Sequence, residues 1–317
     1  MMIDQKKLTR YRRKYIKQTL PILEKEPWKD LINSLDNTER VALGEIEFKR
    51  FHSRSSTLWM KYIAFYTLAA IDADLEKMRL NYAVAISLGT IESCAKRDIL
   101  NVGDAKAANF NASSNGRITL LLQGAGWFEE AKKQMDFVCT NAKVDFMVSN
   151  RNKLGWFAIL STFDDWDHFK TIERKGYYPP NINNIDIYWM LAECWDDPDP
   201  LKVKNTLTAV REHNVAGNLM AEFSTPDTND ELLLFFDYEV RAINMRRMAL
   251  GLETVVLDES YAIEPQLPME RIPFAKDDVV WPAYLKTCEH FGTKPYEPKG
   301  EVINVTLDRT TGVASLV

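Results

Sequence analysis

Apolar residues recur along most of this chain with the three- and four-residue spacing of α-helices. The clearest case begins near Leu80, and its apolar face holds Val84, Leu88, Ile91 and Ala95. Patterns typical of β-strands are rare by comparison. We therefore expect an all-α protein, built as an antiparallel array or bundle of helices with a short mixed C-terminal appendage.

Other segments repeat the helical period, and residues that favour helix ends separate them. These segments follow Ser56-Thr57, open at Gly126-Trp127, and run over 155–169, 185–195, 200–213 and 230–250. Asp199-Pro200 is a favourable helix start, and Gly251 is a favourable stop. The cluster Gly124-Ala125-Gly126 is interpreted as a turn between two helices, because it lacks the third glycine of a nucleotide-binding loop.

Two short runs have the texture of strands, Val255-Val256-Leu257 and Val302–Leu307. Beyond Met269 prolines become frequent and surround one short helix predicted near 282–291. We therefore divide the chain into a helical domain over 1–268, with a basic N-terminal arm at 1–20, and a Pro-rich appendage over 269–317.

The segment 230–250 predicts a helix with one buried stripe. At 100° per residue this stripe contains Leu232, Phe236, Ile243 and Leu250, while the opposite side contains Asp237, Arg241 and Asn244. Glu239 and Arg246 point close to the stripe. Either they form a partly buried ion pair, or both side chains extend along its edge to water, and we favour the second interpretation.

The cysteine pattern and the N-terminus both indicate a cytoplasmic protein. The four cysteines are isolated, with no CxxC pair, as in reduced intracellular proteins. No apolar stretch follows the basic residues of the N-terminus, which argues against a signal peptide. The longest apolar stretch, over 62–71, is about half the ~20 residues of a membrane helix.

Candidate chemistry is sparse, and we expect no enzyme activity and no cofactor. The phosphate-binding loop, GxSxG and HExxH motifs are all absent from the sequence. One alternative remains open, because Asp164, Asp167 and His168 share a helix face and offer oxygen and nitrogen ligands. The competing hypothesis is therefore a helical metal-dependent hydrolase that uses these three residues.

Charge segregation is the strongest functional signal. Between Glu212 and Glu239 there are seven acidic residues and no Lys or Arg, and 164–199 holds nine acidic residues against three basic ones. The net charge of −5 argues against direct nucleic-acid binding. An acidic face instead predicts a basic protein partner, such as a nuclease. The residues predicted to bind it are Asp164, Asp165, Asp167, Glu222, Asp227, Asp230 and Glu231.

One stretch of the chain resembles a known family. Over 235–268 a helix ends in Arg246-Arg247-Met248-Ala249-Leu250-Gly251-Leu252 and is followed by Val255-Val256, Ser260-Tyr261, Pro265 and Leu267-Pro268. Together with Trp127, Trp156, Trp189 and the acidic turn 196–201, this resembles the all-helical immunity protein 49 group of bacterial polymorphic toxin systems. The texture of Trp and acidic residues is also similar to immunity proteins paired with PoNe-type DNases.

The resemblance covers about 80–270 in outline and implies no catalytic residues. It implies an antidote that binds a cognate toxin domain and blocks it, for a toxin delivered by an Rhs or type VI secretion route. We thus expect a binding protein that acts by occlusion and contacts neither nucleic acid nor membrane.

Overall fold

The computed structural model describes most of the chain. The described ranges are 29–51, 58–101, 112–141, 193–220, 237–258 and 266–317, together with Lys6, Thr9, Arg10, Arg13, Met190 and Leu191. Within them the protein is mostly helical and has one small three-stranded mixed sheet. None of the helices in these ranges combines the length and the apolar character that crossing a bilayer requires.

We number the helices and strands in chain order. The elements of the described part are α1 (Lys29–Ala42), α2 (Leu58–Ile71), α3 (Leu75–Asn101), α4 (Ala112–Gly124), α5 (Phe128–Asn141), α6 (Pro200–Met220), α7 (Tyr238–Ala249), β1 (Phe274–Asp277), α8 (Val280–Phe291), β2 (Val302–Leu307) and β3 (Ala314–Leu316). A single 3₁₀ turn, Phe48–Arg50, follows α1.

The chain folds into two compact units. Unit 1 comprises Met1–Arg12, Phe110–Glu264 and Pro268–Arg271, and unit 2 comprises Arg13–Asn109, Pro265–Leu267 and Ile272–Val317. The elements of the predicted appendage, β1 to β3, therefore belong to the same unit as α1, α2 and α3. The division of the chain into domains 1–268 and 269–317 stays a prediction.

Unit 2 is built around α3, whose residues from Asn81 to Ala95 are all buried. The hydroxyl groups of this helix remain satisfied because they donate to carbonyls one turn earlier, as Ser87 Oγ does to the oxygen of Ala83 at 2.7 Å. Ser87 Oγ also accepts the Ala275 amide at 2.8 Å, which ties β1 to α3. These hydrogen bonds therefore allow polar side chains to be buried on a helix that other residues cover on all sides.

The sheet of unit 2 has the order β1-β2-β3. Strand β2 pairs in parallel with β1, with Phe274 opposite Val302, and antiparallel with β3, with Val305 opposite Leu316. Helix α8 connects the two parallel strands, as parallel pairing requires. The predicted strand at 302–307 and the predicted helix near 282–291 are confirmed.

The turn before β3 depends on a glycine. Gly312 has φ +71°, and a Cβ there would clash with Leu31 Cδ2. Its carbonyl oxygen accepts a hydrogen bond of 2.8 Å from the Tyr62 hydroxyl, which is buried in the core. Any side chain at residue 312 would therefore force the Leu31 side chain to shift and would strain the backbone.

Asp277 is a buried carboxylate of unit 2, and it caps α8. Its Oδ1 accepts the amides of Val279 at 2.8 Å and of Val280. Burial raises the pKa of Asp277 from 3.8 to about 6, although these amide hydrogen bonds act in the opposite direction. The folded state therefore binds this proton more tightly than the unfolded state does.

This pKa predicts a pH-dependent stability. The contribution of Asp277 is fully present below pH 3.8 and is lost as the pH rises through about 6. Relative to wild type, Asp277→Asn should gain on the order of 2–3 kcal/mol of unfolding free energy between pH 4 and pH 7. Urea unfolding at several pH values measures this difference.

The matched control is Asp308→Asn in the same unit. The amides of Thr311 and Thr310 lower the pKa of Asp308, so this variant should lose stability relative to wild type as the pH rises. A pH-independent difference for Asp277→Asn would show that Asp277 is not buried in solution.

Unit 1 contains α4 to α7. Helices α4 and α5 are joined by the turn Ala125-Gly126-Trp127, as predicted, and Gly126 has φ +78°. Helix α7 packs mainly against α4, and Arg241 Nε donates to the last carbonyl of α4, that of Gly124, at 2.8 Å. The Trp127 ring is buried beside this turn.

Helix α7 is buried more completely than its sequence predicts. Ile243 is fully buried as expected, and Asp237, Arg241 and Asn244, predicted to lie opposite the core, are buried as well. Leu250, predicted to be buried, is 58% exposed because the helix ends at Ala249. The polar residues of α7 are buried because internal hydrogen bonds satisfy them.

The run 255–257 is not a strand, so this prediction is wrong. The Asn244 side chain accepts the Val255 amide at 2.7 Å and donates to the Val255 carbonyl at 2.8 Å. One side-chain amide therefore satisfies the two backbone groups that a neighbouring strand would otherwise pair with.

Candidate functional site

The predicted site residues lie outside the described part of the chain. This holds for the acidic face, Asp164, Asp165, Asp167, Glu222, Asp227, Asp230 and Glu231, and for His168 of the alternative metal site. Among the described residues, no group of three or more His, Cys, Asp or Glu side chains is arranged to hold a metal ion. Both predictions remain untested by the structure.

A cluster of buried charges joins α6 to α7. Arg211 near the middle of α6 is fully buried and forms ion pairs with Asp237 and with Glu239, whose Oε2 lies 3.4 Å from Arg211 Nη1. Glu239 is also fully buried, so the interpretation that it extends to water is wrong. A buried carboxylate needs a cation beside it, and here the cation comes from the preceding helix.

At the other end of α7, Arg247 holds two loops in place. Its Nη1 donates to the carbonyls of Trp195 and Asp197, both at 2.8 Å, and its Nε donates to the carbonyl of Glu253 at 2.7 Å. Arg247 is fully buried. One guanidinium thus fixes the turn 193–199 and the segment 250–258 to the end of α7.

Neighbouring contacts reinforce this arrangement. The Arg246 guanidinium stacks over the Trp195 ring, 3.9 Å from its centroid. Helix α7 ends at Ala249 and is followed by Gly251, which has φ +73°, and the Leu252 amide donates to the Arg247 carbonyl at 2.9 Å. This glycine-dependent end, predicted from sequence, turns the chain toward Glu253.

The turn 193–199 is itself ordered by carboxylates. Asp199 Oδ1 accepts the Leu201 amide at 2.9 Å, so Asp199 caps α6 with Pro200 at the first helical position, as predicted. Asp197 accepts the Asp199 amide at 3.0 Å and the Lys202 ammonium at 2.6 Å. The Lys202 hydrogen bond is the main reason that the pKa of Asp197 is lowered.

We call the exposed surface supported by Arg247 the Arg247 face. It consists of the solvent-facing side chains of 193–202 and 248–258. Its carboxylates belong to Glu193, Asp196, Asp197, Asp199, Glu253 and Asp258, and its large apolar side chains are Leu201, Met248, Leu250 and Val256. Leu201 is 60% exposed and Val256 is 78% exposed.

The charge of this face is acidic even after its lysines are counted. Lys202 pairs with Asp197 and Lys204 pairs with Asp258. Within the described ranges, no lysine or arginine forms an ion pair with Glu193, Asp196 or Glu253. The face therefore combines carboxylates that attract a cationic surface with apolar side chains that gain from being covered.

This arrangement is suited to binding. Cys194 lies beneath the turn, where burial raises the pKa of its thiol, so the thiol stays protonated and inert. The guanidinium groups of Arg246 and Arg247 are engaged beneath the surface. The face thus offers carboxylates and apolar side chains on hydrogen-bonded segments, and its cysteine is not exposed.

The sequence indicated both segments of this face but did not predict that they lie next to each other. The acidic turn at 196–201 and the segment 246–252 were both noted as points of resemblance. Their junction depends on Arg247, and nothing in its local pattern distinguishes a buried arginine from an exposed one. The sequence signal that could have indicated this junction was the adjacent pair Arg246-Arg247 before Gly251.

No protein-family model, curated protein or solved structure matches this chain. The resemblance to immunity proteins therefore remains a prediction.

Proposed function

We propose that this chain is an immunity protein, an antitoxin that binds a cognate secreted effector toxin and neutralises it by occlusion. The observation that carries the proposal is the Arg247 face, a surface of carboxylates and exposed apolar side chains on a rigid base. Preorganised surfaces of this kind bind with little ordering cost. The toxin is of the nuclease type, released by an Rhs or type VI secretion effector.

The chemistry of the partner follows from charge. A nuclease domain binds a polyanion and is therefore basic at its active site. An acidic surface attracts such a domain, orients it and covers the groups that would contact its substrate. In this proposal Asp164, Asp165, Asp167, Glu222, Asp227, Asp230 and Glu231 extend the toxin-binding surface.

The remaining properties follow from the same role. The antitoxin acts in the cytoplasm, where the toxin would otherwise reach its substrate, and needs no cofactor or turnover. Its helices form an antiparallel array, which keeps the binding surface fixed because facing helices interlock along their length. Neither nucleic acid nor a membrane is its direct partner.

Co-expression tests the proposal. The probe is the C-terminal domain of the protein encoded immediately upstream of this chain, expressed in a host with and without the full chain. We expect that domain to stop growth alone, the full chain to restore growth, and the two to co-purify in a defined ratio. Growth arrest that persists with abundant, folded full chain would contradict the proposal.

The same preparations test the competing hypothesis. A metal-dependent hydrolase would release products from nucleic acid by itself, lose this activity with a chelator and lose it in Asp167→Asn. We expect the purified full chain to show no such activity. Hydrolysis that disappears in Asp167→Asn would replace the binding role with an enzymatic one.

A further inference from the structure

We propose that the Arg247 face is the primary docking surface for the basic toxin domain, with its apolar side chains at the centre of the contact. This inference rests on the proposed function, and it names a surface that the predicted acidic residues do not include. Three observations carry it: the exposed apolar side chains, the carboxylates on the same two segments, and the hydrogen bonds that hold these segments to α7.

The exposed apolar side chains are the first observation. Leu201 lies in the first turn of α6, and Leu250 and Val256 lie in the segment 250–258 that Arg247 holds. They are 60%, 58% and 78% exposed, respectively. Side chains of this size lose contact with water when a partner covers them, and such central contacts supply most of the affinity of a protein interface.

The carboxylates of the same two segments determine which charge the partner must carry. Glu193, Asp196 and Glu253 are exposed, and no ion pair within the described ranges neutralises them. A neutral or acidic protein surface would have to bury these charges against no cation, at a cost in free energy. A surface rich in Lys and Arg satisfies them, so the complementary partner is basic.

The base of the face explains why it can act without rearrangement. Arg247 joins the turn and the loop through three backbone carbonyls, and Asn244 fixes Val255 from both sides. Ordering these loops is thus completed during folding, before a partner arrives. Val256, which is 78% exposed, directly follows the Val255 residue that Asn244 holds.

Charge reversal tests the electrostatic part. The variant Glu193→Lys, Asp196→Lys, Glu253→Lys changes only exposed side chains and leaves the helix cap Asp199 intact. The matched control, Asp36→Lys, Asp72→Lys, Glu289→Lys, makes the same change in net charge at exposed positions of unit 2. Both variants are made in the full chain.

Binding to the upstream-encoded C-terminal domain is measured by association kinetics at low and high salt. We expect the reversed variant to associate at least about tenfold more slowly at low salt, with a weaker dependence on salt. The control should associate much faster than the reversed variant, because it retains the Arg247 face. Equal rates for both variants would overturn this inference.

Leu201→Gln with Leu250→Gln tests the apolar part. We expect this variant to dissociate at least about tenfold faster, while its association rate stays near that of wild type. Wild-type dissociation would show that the apolar side chains are outside the contact and would overturn their role.

These outcomes separate the inference from the proposed function. If the wild-type chain binds and protects, and both face variants also do so equally well, the immunity role stands and this docking surface is wrong. If the wild-type chain neither binds nor protects, the proposed function fails and the docking surface fails with it.

Discussion

Replacing Arg211 by Met should destabilise unit 1 by about 3–5 kcal/mol, because Glu239 and Asp237 would lose their buried cation. A buried carboxylate that loses a cation must either take up a proton or draw in water, and both cost free energy. Hydrogen exchange of the α6 and α7 amides, compared with those of α3 in unit 2, localises the effect to unit 1.

Two controls distinguish a lost ion pair from a lost side chain. Arg40→Met removes an exposed ion pair with Glu45 and should change the unfolding free energy by less than about 1 kcal/mol. Adding Asp237→Asn and Glu239→Gln to Arg211→Met should recover part of the loss, since no charge is left unpaired. If Arg211→Met were as mild as Arg40→Met, the cluster would not be buried in solution.

Arg247→Ala is the second substitution with a large expected effect. It removes three hydrogen bonds from a charged donor, each of which contributes about 1.5–3 kcal/mol in buried sites. Since water reaches some of the released carbonyls, we expect a total loss of about 3–4 kcal/mol. Amides in 193–199 and 250–258 should then exchange much faster.

The control for Arg247→Ala is Lys202→Ala, which breaks the exposed ion pair with Asp197 in the same turn. It should leave the exchange of 250–258 unchanged, because Lys202 does not link the two segments. Arg247→Ala should also weaken toxin binding beyond the effect of having less folded protein. In the folded variant the two segments would have to be ordered when the toxin binds, and this ordering costs free energy. Unchanged exchange in both segments would show that Arg247 does not hold them.

The sequence predicted those helices whose apolar period is undisturbed and whose ends carry strong signals. The starts at 127 and 200, the stop at Gly251 and the helix near 282–291 all match the structure. Helix α4 was missed because Ser113, Ser114, Asn115 and Gly116 are typical of turns. Packing against α7 overrides that local preference.

The remaining differences have a common cause in contacts between residues distant along the chain. Strand β1 is four residues long and depends on β2, so its own sequence carries little signal. Val255 was predicted in a strand, yet Asn244 satisfies its backbone. The burial of Arg211 and Glu239 likewise depends on each other, and a helical wheel of either segment alone cannot show it.

The candidate site shows the same difference between local sequence features and long-range contacts. Its acidic character was evident from the sequence, because charge composition is a local property. The exposure of its apolar side chains was not evident from the sequence. Leu250 fits the pattern of a buried stripe, but α7 ends at Ala249, and Leu250 is therefore exposed. The support by Arg247 required the structure, since it joins residues about fifty positions apart.

The most direct test of the central claim, that this chain binds a basic toxin domain through an acidic face, is a hydrogen-exchange footprint. The full chain is compared alone and in complex with the C-terminal domain encoded upstream. We predict slower exchange in 193–201 and 248–258, together with the predicted acidic stretches at 164–167 and 222–231. A stable complex in which protection is confined to unit 2, or is absent from all four segments, would contradict the claim.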